Sequence, residues 1–465
     1  MKKVLYISEN SISEVTNGAT KTNISFLNKI NNLGNETFCY SLEHFSDIQD
    51  TYVQLKFSEK NTFPLFHKVS ESFTHYASPR IQEERKTRKW EYESYVKNGI
   101  NLIELIKPDI VIVTNPFVCK PFLELGAIFN FVRVFYFANP IFFTDTYSQD
   151  QLFKNIDKTV VPSDAFAIEV RKHYDITNIV KLRSLVPNYL DGHINLDLTR
   201  IKTRKERYIT MVNPSLAKGG LFFLGLVQKA LHLYPKFKFR VVESRTTERY
   251  WIEQGIETKK LVNLEWYPST TDMKRIYEEC SVLLVPSLYF EPSSRVIAEG
   301  LICGIPILTM KQGGMVEQIN DGGFVFDLPP EDNSEERTEY DLKWLGYINV
   351  LLTNDSIYSN ACKAALKASS IYNESSSIDS VKYVLSYLSS KNDAKKYQDI
   401  QLLSRYNKVK EAIDNLLNKI NAMEDDQAGL EEDENHLSSA YYKQLMSYSL
   451  QFPEVKLALK YVEDG

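Results

Sequence analysis

Short, nearly uninterrupted apolar runs of strand length recur along this chain, and most lead into segments with helical spacing. Lys2–Ser8 holds Val4, Leu5, Tyr6 and Ile7 in sequence. After a polar loop with Asn17 and Gly18, Thr20–Leu33 places Ile24, Leu27 and Ile30 at helical spacing, and Gly34 is a good helix stop. Glu36–Leu42 is a second strand, so the chain opens with a β-α-β unit. Strands that are apolar on both faces belong in parallel sheets covered by helices, with ligands at the carboxyl ends of the strands. Asp109–Thr114, Val132–Phe137 and Thr159–Pro162 read as further strands of the same kind.

Thr199–Arg207 (TRIKTRKER) is polar and basic without apolar periodicity, and reads as a linker. The alternation then restarts, with strands at Tyr208–Val212, Phe237–Val242, Leu261–Trp266 and Ser281–Pro286 and helices at Leu221–Leu233 and Asp272–Cys280. At roughly 150 residues per domain, 465 residues are too many for one compact domain. The expected architecture is α/β, with two Rossmann-like doubly wound domains facing a cleft and a helical C-terminal extension. Its divisions are residues 1–198, a linker at 199–207, a second domain at 208–375, a return helix at 376–390 and an extension at 391–465.

Composition excludes several classes. Lys and Arg total 55 against 60 Asp and Glu, a net charge of −5, which argues against a chain that coats polyanions. Five cysteines are scattered without a C-x-x-C pair, so neither a disulfide scaffold nor a zinc site of usual spacing is expected. The most apolar region, Val111–Phe143, is broken by Lys120, Glu124 and Arg133, and the apolar run after Met1 is too short for a signal peptide. A soluble, cytoplasmic protein is expected. Aromatic residues make up 12%, which reads as general Tyr and Phe richness rather than as stacking surfaces.

Two regions are less legible. In Asp47–Ile106, the mixed-charge portion Arg80–Lys89 is read as a solvated helix face in preference to a basic surface for an anionic acceptor or lipid headgroup. Beyond Ser390, Tyr397–Met423 has apolar residues at helical spacing, Glu424–Glu434 carries seven acids in eleven residues, and Leu437–Tyr461 is again helix-like. This tail reads as a helical cap on the body, with an oligomerisation element as the alternative.

The run from Val285 to Pro306 carries the most chemistry. A buried strand ends at Pro286, a loop carries Glu291, and Pro292 suits the first turn of a helix that Gly304 ends. The amides of Ser293, Ser294 and Arg295 are then expected at a helix N-terminus, where an anion is stabilised. Glu291 and Glu299 would repel phosphate alone, but each suits hydroxyl hydrogen bonds, one from a ribose and one from a second sugar.

These residues resemble the retaining glycosyltransferases of family 4, which have the GT-B fold. Glu291 and Glu299 match the family's E-x7-E signature, followed by Gly304-Ile-Pro306. Lys311-Gln-Gly313-Gly314-Met-Val-Glu317 is similar to its G-G-x-x-E loop, and Val212-Asn213-Pro214-Ser-Leu-Ala-Lys218-Gly219-Gly220 to its strand-to-helix phosphate loop. Val161-Pro-Ser163 and Val186-Pro-Asn188 resemble first-domain landmarks. The resemblance covers roughly residues 2–390 and is closer in the second domain.

It implies that Glu299 binds the nucleotide ribose and Glu291 the donor sugar, with Glu291 and Lys218 as the catalytic pair. Lys218 would neutralise the diphosphate, and Gly18 would let the first-domain loop approach the donor. Asn213, Ser293, Ser294 and Arg295 complete the implied donor site, with Gly313 and Gly314 permitting close backbone approach. No metal and no cofactor is implied beyond a UDP- or GDP-linked sugar. The acceptor, held by the first domain, is a glycan, a lipid-linked sugar or a protein. Peripheral membrane contact and homo- or hetero-oligomers through the C-terminal helices stay open, and no nucleic acid is expected.

The chain departs from the family at three places. Val212 and Asn213 stand where Gly-Arg is common, which leaves Arg295 and Arg245 as candidates for a second phosphate cation. No histidine lies between His75 and His173, although the family often has one near the reacting sugar at a position comparable to Tyr136–Pro140. Glu243-Ser244-Arg245 replaces a usual glycine pair. These departures motivate the rival expectation, a non-catalytic scaffold or chaperone partner of an active glycosyltransferase.

Overall fold

A computed structural model describes residues 1–13, 18–44, 48, 52–55, 65–70, 72–80, 89–114, 120–137, 156–174, 176–186, 207–331 and 334–389. The expectations for residues 81–88, 138–140, 187–206 and 391–465 lie outside the described residues.

The first half runs β1 (Lys3–Ser8), α1 (Gly18–Asn32), β2 (Glu36–His44), β3 (Val53–Leu55), β4 (Leu65–Val69), β5 (Thr74–Arg80), α2 (Lys89–Ile106) and β6 (Ile110–Val113). It continues with α3 (Lys120–Glu124), α4 (Gly126–Phe129), β7 (Val132–Tyr136), β8 (Lys158–Val161), α5 (Asp164–Tyr174) and β9 (Ile179–Lys181). These strands form one sheet in the order β3-β4-β5-β2-β1-β6-β7-β8-β9. All neighbours pair in parallel except β3–β4 and β4–β5, which are antiparallel at one edge. The edge strands explain why residues 47–106 are hard to read: β4 is buried at Leu65 alone and β3 is three residues long, so neither shows the continuous apolar run of a central strand. By contrast β6, Ile-Val-Ile-Val, is buried throughout.

The second half runs β10 (Tyr208–Val212), α6 (Gly220–Leu233), β11 (Phe239–Val242), α7 (Glu248–Glu253), β12 (Leu264–Tyr267), α8 (Met273–Glu278) and β13 (Cys280–Val285). It ends with α9 (Arg295–Ile302), β14 (Ile307–Met310), α10 (Met315–Ile319), β15 (Gly323–Phe326), α11 (Glu335–Thr353), α12 (Asp355–Ala368) and α13 (Glu374–Ser389). Its sheet has the order β12-β11-β10-β13-β14-β15, parallel throughout. Leu224, Val227 and Trp344 pack on one face of the sheet core, whereas Ile297, Leu301 and Tyr277 belong to a separate apolar cluster. Helices thus enclose the strands as the apolar runs require.

The last described helix crosses back. Val381, Val384 and Leu388 of α13 are buried with Val4, Tyr6 and Phe26 of the first half. Glu374, at the start of α13, pairs with Lys29 of α1 at 2.5 Å. The chain therefore leaves the first sheet once and returns to it, with the two sheets held on either side of a crossing.

Candidate functional site

Among the parallel strands of each sheet the order reverses direction at one point, between β10 and β13 in the second and between β1 and β6 in the first. A crevice opens beyond the carboxyl ends of strands at such a point. The loop carrying Lys218 leaves β10 and the loop carrying Glu291 leaves β13, so topology alone brings them to one crevice. Gly18 begins α1, the helix that follows β1 at the matching point of the first sheet.

Residues 213–220 form a tight hydrogen-bonded turn. Asn213 has a φ of 60°, a left-handed conformation that asparagine tolerates, and its amide donates to the Val242 carbonyl at 2.9 Å. The amides of Lys218 and Gly220 both donate to the Ser215 carbonyl, at 3.1 and 2.9 Å, and Leu288 donates to Ala217 at 2.9 Å, tying this loop to the one after β13. Gly219 has a φ of 81°, and a Cβ there would lie 2.0 Å from the Pro286 carbonyl oxygen. Only glycine lets the turn rest on the end of β13.

That seating sets the lysine. Lys218 Nζ forms an ion pair with Glu291 and lies 5.1 Å from the Tyr289 ring centroid. Glu291 is 5% exposed, and burial together with its carboxylate pushes the Tyr289 phenol up.

The helix start differs from the expectation. The helix begins at Arg295, not at Pro292, because Ser294 is the cap: its side chain accepts from the Ile297 amide. Nor is the Ser294 amide free. It donates to Gln318 Oε1 at 2.5 Å, while Gln318 Nε2 donates to Ser293 Oγ at 2.8 Å. Ser293 Oγ also meets Ser184 Oγ of the first half at 2.6 Å. Gln318, one turn into α10, reaches an orphan donor of the neighbouring helix, and no motif in the sequence marks it.

Glu299 is 4% exposed and lies on the same face as Arg295, one turn away. Its Oε1 accepts from Arg295 Nε at 2.5 Å and its Oε2 from the Tyr277 hydroxyl at 2.6 Å. Burial first, and then Glu299, raise the Tyr277 phenol well above its ordinary value. Arg295 is thus committed to Glu299 through Nε, but its Nη1 is buried without a partner. Arg245, the other candidate cation, is exposed in the partly buried loop after β11.

Gly313 and Gly314 make their closest approach to protein backbone. A Cβ on Gly313 would lie 2.2 Å from the Glu291 carbonyl oxygen. The Gly314 amide donates to that oxygen at 2.8 Å, and a Cβ on Gly314 would meet the Pro292 carbonyl at 2.2 Å and Ser163 Oγ at 2.7 Å. The glycine pair therefore fixes the Glu291–Pro292 peptide and lets Ser163 of the first half come close. Glu317 extends this crossing: its two carboxylate oxygens accept from the amides of Asp164 and Ala165, both at 3.0 Å.

Three buried polar atoms around the crevice, Asn213 Oδ1, Ser287 Oγ and Arg295 Nη1, have no partner. Such groups need an explanation, and a missing polar ligand is one that fits all three. No group of three or more His, Cys, Asp or Glu placed to hold a metal occurs among the described residues. No described helix is long and apolar enough to cross a membrane.

Residues 201–342 match the family model of glycosyl transferases group 1. Sucrose-phosphate synthase from Thermosynechococcus elongatus is similar in structure, with a TM-score of 0.64 at 13% identity over 83% of this chain and 99% of that one. The catalytic domain of starch synthase IV from Arabidopsis thaliana, bound to ADP and acarbose, gives 0.63 at 14% identity over 84% and 100%. Anabaena HepE in complex with UDP and glucose gives 0.61 at 12% identity over 84% and 100%. No curated protein sequence matches this chain. The fold is GT-B, and the family match supports a glycosyltransferase.

Proposed function

We propose that the protein is a retaining, metal-independent glycosyltransferase that moves a sugar from a nucleotide-sugar donor to an acceptor hydroxyl. The reading is carried by the meeting of Lys218 and buried Glu291 in a crevice lined by unpartnered polar atoms. It is supported by the match of residues 201–342 and by structural neighbours bound to UDP and ADP.

In this reading the donor exchanges the partners of both residues. The diphosphate takes the Lys218 ammonium, and the hydroxyls of the donor sugar take the Glu291 carboxylate. Ribose hydroxyls meet Glu299, which Tyr277 and Arg295 hold in place. As the bond to the sugar breaks, negative charge grows on the leaving phosphate oxygen beside Lys218, which stabilises the transition state more than the ground state. The same oxygen takes the acceptor's proton on the face that it leaves, so no separate base is required and configuration is retained. Lys218, Asn213 and Arg295 hold the donor, while Gly18, Ser293, Ser294, Gly313 and Gly314 shape the loops that frame it, and the first domain presents the acceptor.

Calorimetry with UDP, GDP and ADP, followed by a transfer assay, tests the proposal. Lys218→Ala and Glu299→Ala are each expected to abolish transfer with an unchanged circular dichroism spectrum. Near-normal turnover in both would overturn the site assignment, and failure to bind any of the three nucleotides would favour the non-catalytic scaffold.

A further inference from the structure

β1 ends at Ser8, which lies opposite Ser41, while β2 runs on to His44. Glu43 is therefore carried past the end of β1, to the loop that leads from β1 to Gly18 and α1. Its side chain is fully buried, and no lysine or arginine among the described residues lies within ion-pair distance of it. The carboxylate instead accepts from uncharged donors. Oε1 takes the Ile12 amide at 2.8 Å and the Ser41 hydroxyl at 2.6 Å, and Oε2 takes the Ser11 hydroxyl. Two of the three bonds thus end on the loop after β1. The loop passes the hold onward: Ser11 Oγ accepts from the Ser13 amide at 3.0 Å, and the Ser11 carbonyl accepts from Thr20 Oγ1, in the first turn of α1, at 3.5 Å.

Glu43 is itself held from behind. Ser41 gives its one hydroxyl hydrogen to Glu43, so His75 Nε2, 2.7 Å from Ser41 Oγ, is the donor of that pair. A neutral imidazole then accepts at Nδ1, from the Tyr52 hydroxyl at 2.6 Å. The donors run in one direction, from Tyr52 beside the edge strand β3, through His75 of β5 and Ser41 of β2, to Glu43. His75 and Ser41 are buried with it. Burying a carboxylate without a cation is costly unless its hydrogen bonds are complete. Here they are, and what they specify is the path of the loop at the switch point of the first sheet.

We propose that Glu43 is a positioning residue for sugar transfer, which sets the path of the loop after β1 and with it the approach of Gly18 to the donor. The inference rests on the transferase reading above, in which that loop faces a donor held by the second half. Glu43 touches no substrate and acts through Ser11 and Ile12. The nucleotide is held by Lys218, Arg295 and Glu299 of the second half, so loss of Glu43 spares nucleotide binding and impairs the step in which the first half meets the sugar. Glutamine at this position keeps an oxygen for the Ile12 amide and the Ser41 hydroxyl, and its Nε2 donates to Ser11 Oγ. Leucine keeps the bulk and leaves the Ile12 amide without an acceptor.

The test compares the full chain with its Glu43→Leu, Glu43→Gln and Ser11→Ala variants. It reads transfer kinetics, calorimetry with whichever of UDP, GDP and ADP the wild type binds most tightly, and hydrogen exchange at the Ile12 amide. A misplacement of about 1 Å near the chemistry lowers a rate by about 100-fold. Glu43→Leu is therefore expected to lower kcat/KM for transfer by about 100-fold, to bind the diphosphate within about twofold of wild type, and to speed exchange at Ile12 by about 10-fold or more. Glu43→Gln should restore transfer to within about threefold of wild type, since it keeps the bond to Ile12. Ser11 is half-buried and carries the test should Glu43→Leu fail to fold; Ser11→Ala should lower transfer by about 10-fold with diphosphate binding unchanged. A folded Glu43→Leu protein, or in its place Ser11→Ala, with transfer within about twofold of wild type would overturn the positioning role, as would equal losses of transfer and diphosphate binding. Wild-type protein that binds none of the three diphosphates would instead remove the transferase reading, while exchange at Ile12 would still show whether Glu43 holds the loop.

Discussion

The seating of the Lys218 loop gives the sharpest test of how the fold makes the site. Gly219→Ala introduces two separate costs. Alanine in a left-handed conformation costs about 1–2 kcal/mol, and Gly219 has a φ of 81°. The new Cβ would also lie 2.0 Å from the Pro286 carbonyl oxygen, about 1 Å inside the 3.0 Å below which such contacts are essentially never seen. The carbonyl is the end of a central strand and cannot yield as a side chain does, so the loop must lift. Overpacking of this size costs roughly 1–3 kcal/mol, and the total is about 2–5 kcal/mol. A displacement of about 1 Å at a catalytic group can lower the rate by about 100-fold, and on the proposed reading Lys218, next to Gly219, is such a group. Thermal unfolding and donor turnover should therefore both fall in this variant, with turnover falling further than the stability loss explains. Gly225→Ala is the control, because no heavy atom lies within 4 Å of its Cβ position and it sits inside α6. That change should stabilise by roughly 0.5–1 kcal/mol and leave turnover alone. A Gly219→Ala protein with wild-type melting temperature and turnover would refute the claim that this contact positions Lys218.

Two further outcomes follow from the crossing and from the first sheet. Glu317→Ala removes the carboxylate that accepts from the Asp164 and Ala165 amides. Hydrogen exchange at those two amides should accelerate by about 10-fold or more, and unchanged protection would show that another group holds α5 to the second half. His75 is buried, with Nε2 2.7 Å from Ser41 Oγ and Nδ1 2.6 Å from the Tyr52 hydroxyl. Burial lowers its pKa from 6.5 to about 4, opposed by Glu43 and assisted by Lys68. The unfolded chain then binds a proton below pH 6.5 that the folded chain does not, so stability is lost as pH falls from 6.5 towards about 4. In denaturant titrations from pH 7.5 to 4.5, His75→Asn should lose less stability than wild type over that window; parallel curves would refute the assignment.

The parts of the molecule legible in the sequence are those whose environment is uniform. Central strands such as β6 and β13 are buried on both faces, so their apolar runs announce them, and their order of appearance implies parallel sheets. Lys218 and Glu291 were singled out from the sequence for a related reason: Lys218 precedes Gly219, which close backbone approach requires, and Glu291 precedes Pro292. What could not be read depends on contacts between distant segments. Nothing near Gln318 indicates that it caps the Ser294 amide. The antiparallel strands β3 and β4 lie at a sheet edge and carry mixed exposure, so periodicity had little to report there. The expectation of a free amide at Ser294 failed because a helix terminus inside a protein is satisfied by whatever polar group packs against it, here Gln318.

On the proposed reading, the charges of the crevice also explain why such a site would select a whole nucleotide sugar over its parts. Lys218 pairs with Glu291 and Arg295 with Glu299, and the side chains of both carboxylates are nearly inaccessible, at 6% and 5% exposed. A buried carboxylate stripped of its cation is left without compensation, which costs about 3–5 kcal/mol. Inorganic phosphate that drew Lys218 away would therefore leave Glu291 stranded, and a neutral sugar that engaged Glu291 would leave the cation short of a partner. A ligand that brings phosphate oxygens and sugar hydroxyls on one framework compensates both sides of each pair at once. The same argument holds at the other end, where a ribose for Glu299 and a phosphate for Arg295 arrive together. Selectivity in this arrangement comes from the penalty on partial occupation, and the paired carboxylates and cations of the sequence are its physical basis.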